Sequence, residues 1–139
     1  MSLHHLFKGD TSVERLYILL PVAWMGLIYG LSSIPGQLDP ADPTIYRLLL
    51  WLSPAMQNVL HIPLYGALAW FCRRSLQVWL NWRLATVGTF VIAAGYAVYD
   101  EWHQSFVPGR YASVTDVLLD MVGVGIALWL FNLLLKAPE

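Results

Sequence analysis

The side chains able to do chemistry gather between positions 100 and 120. Asp100, Glu101, His103 and Gln104 fall close together, Arg110 follows a Pro108-Gly109 pair, and Asp116 and Asp120 come next. Farther back, His61 and Tyr65 stand one helical turn apart. Carboxylates beside an imidazole suit general acid/base work, with His103 or Glu101 as the proton carrier. The same groups suit zinc or manganese. No tight ligand string such as H-E-x-x-H is present, so no metal site is assigned; Glu101, His103 and Asp116 come nearest to one. These three are also the candidate catalytic residues. Arg110, His61, Tyr65, Asp100, Gln104 and Asp120 are the candidate ligand-binding residues, and no cofactor is identified.

Composition says what must hold these groups. Of 139 residues only 12% are charged and 58% are hydrophobic, and the mean hydropathy is +0.55. Charged residues are about half as common as in a soluble domain, which leaves an integral membrane protein. Eight Lys/Arg against nine Asp/Glu exclude a nucleic-acid binder with a basic face and an acidic disordered tail. A lone Cys72 excludes a disulfide framework and a multi-cysteine metal site. We read positions 1–139 as a single transmembrane domain.

A hydrocarbon core of about 30 Å needs roughly 20 helical residues. Charge-free stretches run 23 residues from Leu16 to Leu38 and 25 from Leu48 to Cys72, but only 16 from Leu84 to Tyr99 and 15 from Met121 to Leu135. The last two reach spanning length only by taking in Asp100 and Glu101 at one end and Asp116 and Asp120 at the other. A charge at a helix centre costs about 2.5–3.5 kcal/mol, less near the interface. The expected fold is therefore an all-α membrane protein with four transmembrane helices, over about 15–32, 56–72, 84–103 and 114–135. Ser32-Ser33-Ile34-Pro35-Gly36 reads as a helix stop, and the first span as retained rather than a cleaved signal. Thr44–Leu52, bounded by Pro43 and Pro54, reads as a short interfacial helix in the first outer loop, with Trp51 near headgroup level.

Lys8, Arg15, Arg73, Arg74, Arg83 and Lys136 fall on one side of such a bundle, and Arg47 and Arg110 on the other. The positive-inside rule then sets both termini in the cytoplasm. Gln104–Ala112 becomes a tight outer hairpin turning at Pro108-Gly109. Around it Asp100 and Asp116 reach similar depth, with Asp120 about 6 Å deeper on the same face as Asp116. His61 lies about 9 Å in from the start of its own helix, close to the depth of Asp120, with Tyr65 one turn below. Pro63 removes a backbone hydrogen bond between them and is expected to kink the helix. His61–Tyr65 reads as an interhelical hydrogen-bonded pair extending to Asp120 or Asp116. Gly123 and Gly125 are expected to permit close helix approach. Arg110 with Asp116 or Glu101 reads either as a salt bridge closing the hairpin or as a clamp for an anionic headgroup.

The string DEWHQSFVPGR from Asp100 to Arg110, with Asp116 and Gly123 after it, resembles the signature of the VanZ-like family of small bacterial membrane proteins. His61 and Tyr65 resemble that family's H-x-x-x-Y, and Ser32-Ser33 its serine pair; Asp120 stands where the family usually has Asn. The resemblance covers about residues 30–125. It implies a multi-pass protein of the bacterial cytoplasmic (inner) membrane, in a family associated with resistance to glycopeptide antibiotics such as teicoplanin, and it brings no settled reaction.

The expected function is binding of an envelope lipid or lipid-linked precursor headgroup in an outward-facing polar pocket, with membrane lipid as partner and no nucleic acid. One alternative is an intramembrane hydrolase or transferase acting on such a lipid; another is a proton-linked carrier. Whether the protein is an enzyme stays open at this point.

Overall fold

A computed structural model describes residues 17–37, 41, 44, 46 and 54–135. Apart from Thr44 and Tyr46, the interfacial helix expected over 44–52 lies outside them, as do Trp51, Arg47, Lys8, Arg15 and Lys136. The described residues form four α-helices and no strand: α1 (Leu19–Ser32), α2 (Pro54–Leu76), α3 (Trp82–Gln104) and α4 (Val114–Leu135).

The helix ends follow local chemistry. The Asn81 side chain accepts from the Leu84 N–H at 3.0 Å and starts α3. Pro54 opens α2, where its missing N–H costs nothing. Asp116 lies in the first turn of α4, where the unpaired N–H groups favour an acid. α1 stops at Ser32, within the serine pair, and Ser33 Oγ donates back to the Tyr29 carbonyl at 2.7 Å.

The interior is a set of stripes that change character along their length. On α3 the buried positions are Ala85, Thr89, Ala93 and Ala97, continuing into Asp100, Glu101 and Gln104. On α4 they are Asp116 and Asp120, continuing into Gly123, Val124, Ala127, Leu128 and Phe131. Spacings of three and four keep each set on one helix face. One end of the bundle is thus packed with small and apolar side chains, and the other is acidic.

α2 and α4 approach most tightly at Gly123, where a Cβ would collide with the Ile62 carbonyl. Gly125 has open space around its Cβ direction, so of the two glycines expected at a helix contact only Gly123 is one. α1 is tied on by side chains that reach main-chain carbonyls: Trp24 Nε1 donates to Leu64 O at 2.8 Å and Tyr96 Oη to Met25 O at 2.6 Å. At the end away from the acids, buried Arg73 donates to Thr86 and Gln77 and lies 4.8 Å over the Phe131 ring.

The outward faces reverse the pattern of a water-soluble bundle. Val22, Val59, Val91, Leu118, Trp129 and Leu133 are all exposed, while Asp100 and Asp120 are buried at 1% and 0% exposure. Among the described residues one helix, α4, is long and apolar enough by itself to cross a membrane, with a mean hydropathy of 2.1. α1 is apolar but 14 residues long. α2 and α3 have the length, at 23 residues each, but their polar positions dilute them.

Candidate functional site

The Pro108-Gly109 turn holds the acidic end together. Arg110 N–H donates to the Val107 carbonyl at 3.0 Å, and Gly109 has φ of 74°. Pro followed by a positive-φ glycine is the pattern of a type II turn. Gly36 N–H donates to the Pro108 carbonyl at 2.9 Å, pinning the end of α1 to the hairpin. The two backbones come so close that a Cβ on Gly36 would collide with the Gly109 carbonyl.

Around this clamp lies a cavity of about 110 Å³ to which every helix contributes. Ser32 of α1, His61 and Tyr65 of α2, Asp100 of α3, Arg110 of the hairpin and Asp116 of α4 line it. Gln57 and Asn58, one turn before His61, line it too. They are the polar lining residues that the sequence reading does not include; their place one turn from His61 on the same helix is the available signal.

The sharpest contact joins α2 to α4: His61 Nδ1 lies 2.8 Å from Asp120 Oδ1, with Asp120 wholly buried. Helix rise alone predicts equal depth for the two groups, and the structure joins them by a hydrogen bond. Tyr65 does not hydrogen-bond His61; their rings lie parallel, 6.3 Å apart. Glu101 is anchored by the Ser113 N–H, which donates to its Oε2 at 2.6 Å across the hairpin. Gln104 Nε2 donates at 3.3 Å to both Asp100 and Glu101.

At the acidic end Tyr65 Oη, Asp100 Oδ1, His103 Nδ1, Asp116 Oδ1 and Asp120 Oδ2 are buried without a hydrogen-bond partner among the described residues. A buried polar atom left unpaired costs about 1–3 kcal/mol, so concentrating five such atoms at one end is expensive for packing alone. One atom each of His61, Glu101 and Asp116 lies within 4.8 Å of the others. His103, the imidazole chosen from sequence, packs instead on Tyr29, with ring centroids 4.4 Å apart.

Arg110 makes no ion pair with Asp116 or Glu101, which corrects the salt-bridge expectation; His61–Asp120 is the only such pair among the described residues. Its Nε donates to the Ile34 carbonyl at 3.1 Å and Nη1 to Gln57 at 3.4 Å. Burial lowers its pKa from the ordinary value, and Asp100, Asp116 and Glu101 act in the opposite direction. A guanidinium remains protonated at neutral pH. It is a half-buried cation facing three carboxylates without being bonded to any of them.

The family model described as VanZ/LLP1 matches residues 3–135. No curated protein and no solved structure matches the chain.

Proposed function

Since the chain belongs to the VanZ/LLP1 family, we propose that it is a multi-pass protein of the bacterial cytoplasmic membrane whose cavity binds the anionic headgroup of an envelope lipid or lipid-linked precursor. The carrying observation is Arg110. A guanidinium has five N–H donors, and hydrogen bonds to Ile34 and Gln57 use two of them. The remaining donors sit on a group that lines the cavity and is unpaired with any carboxylate among the described residues. Phosphate or carboxylate fits that planar fork.

The apolar exterior supports the membrane setting. Large exposed hydrophobic side chains on all four helices are stable when lipid covers them. Both termini face the cytoplasm by the Lys/Arg distribution, which points the cavity outward.

Binding of purified protein to nanodiscs of phosphatidylglycerol and of phosphatidylcholine tests the headgroup claim. Wild type should prefer the anionic lipid, and Arg110→Ala should lose that preference. Equal binding by both proteins across both lipids removes the proposal.

The His61–Asp120 pair favours a second reading, an intramembrane hydrolase or transferase acting on the same headgroup. A carboxylate fixes the imidazole tautomer and orientation, as a general base requires. Release of a labelled headgroup by wild type but not by His61→Gln would identify it. Binding without turnover leaves the binding function alone.

A further inference from the structure

An anion does not sit easily beside four buried carboxylates. Asp100, Glu101, Asp116 and Asp120 are each at least nine-tenths buried. Asp100 and Asp116 line the cavity with the cation Arg110 and with His61, while Glu101 and Asp120 lie behind its wall against His61. In such surroundings carboxylates are protonated, paired or bound to a cation. Asp120 has its pair, and Glu101 has the Ser113 N–H. Asp116, which lines the cavity at 8% exposure, keeps an unpartnered Oδ1.

We propose that His61, Glu101 and Asp116 together hold a divalent first-row cation, Zn²⁺ or Mn²⁺, with Asp120 fixing the imidazole that ligates it. One donor atom from each of the three lies within 4.8 Å of the other two. Ligands at about 2.0–2.2 Å from a metal stand roughly 3–4 Å apart, so small side-chain rotations close the set. His61 Nδ1 is engaged by Asp120, which leaves Nε2 for the metal. A carboxylate behind a ligating histidine is the usual outer partner in metal sites. One imidazole and two carboxylates suit zinc or manganese better than calcium or magnesium, which favour all-oxygen shells.

Three protein ligands leave a coordination position open. His61 and Asp116 both line the cavity that Arg110 enters, so that position is available to a headgroup oxygen. The cation thereby deepens the proposed headgroup function, supplying positive charge on the acidic side, while metal binding itself does not depend on that function. The ligands come from α2, α3 and α4, so the ion also ties three helices together.

The test uses full-length protein in detergent, stripped with chelator and titrated with ZnCl₂ or MnCl₂ and no added lipid. Calorimetry should give one ion per chain, the melting temperature should rise on loading, and the Mn²⁺ electron spin-echo spectrum should show nitrogen coupling from one imidazole. Glu101→Gln and Asp116→Asn should each weaken binding by more than about 100-fold, and Asp120→Asn by roughly 10–100-fold. His103→Gln should bind as wild type does; a loss equal to that of Asp116→Asn would assign the imidazole wrongly and overturn the site. Absence of stoichiometric metal, absence of nitrogen coupling, or unchanged affinity in both carboxylate variants overturns it as well. Should a variant fail to fold, stoichiometry and nitrogen coupling in wild type still decide. Nanodisc binding is scored separately: lipid preference without metal defeats the cation site alone, and metal without lipid preference defeats the headgroup function alone.

Discussion

His61 stands between one acid it satisfies and two it faces. Its bond to Asp120 is the only hydrogen bond that the Asp120 carboxylate makes among the described residues, where Oδ2 has no partner. His61→Ala therefore leaves a wholly buried carboxyl with neither oxygen bonded, a defect worth about 1–3 kcal/mol. Unfolding of detergent-solubilised protein should show that loss. The double variant His61→Ala/Asp120→Ala should be no less stable than His61→Ala, because removing both partners also removes the stranded acid. A double variant whose losses simply add would show that the two residues act apart. The residue types and the spacing of this pair were legible in the sequence. The choice of His61 over His103 as the imidazole beside Glu101 and Asp116 was not: His103 stands two residues beyond Glu101, about 200° of helical phase, and turns toward Tyr29.

At the level of elements, two glycines set where the carboxylates sit. Gly123 lets α4 touch α2 one turn beyond Asp120, and any side chain there meets the Ile62 carbonyl. Gly123→Ala should destabilise by about 1–3 kcal/mol through overpacking. Gly125→Ala, into open space, should be neutral or stabilising by up to about 1 kcal/mol, since alanine is the better helix former. Equal effects in denaturation would mean that the α2–α4 approach is not limiting. The hairpin depends likewise on Gly109. Its positive φ costs an L-residue about 1–2 kcal/mol, and an added Cβ would press on Gln37. Gly109→Ala should speed hydrogen exchange at the Arg110 and Gly36 amides, which close the turn and pin it to α1. Unchanged exchange would show that the clamp is held by other contacts.

For the whole molecule, the decisive contrast is a polar interior at one end beneath an apolar exterior. Under the proposed membrane setting, the exposed hairpin and the α2–α3 connection lie on opposite sides of a bilayer. Tyr111 and Trp79, exposed at 84% and 61%, report the two sides. In a Cys72→Ala background, Tyr111→Cys should react with an impermeant maleimide on intact cells. Trp79→Cys should react only after permeabilisation. The opposite labelling would invert the topology and close the cavity to the outside.

What the sequence determined by itself was the helical class, the family, and the confinement of carboxylates to helix ends. Charge-free runs of 16 and 15 residues are too short to cross without them, and this is a matter of length alone. Hydropathy did not settle four crossings: among the described residues α4 alone is both long and apolar enough, because polar positions lower the mean on α2 and α3. Partnership among the acids came from the tertiary structure. Helix phase, the closeness allowed at Gly123 and the turn at Gly109 decide which oxygen meets which nitrogen. Those are distances between elements far apart in the chain, and no local pattern encodes them.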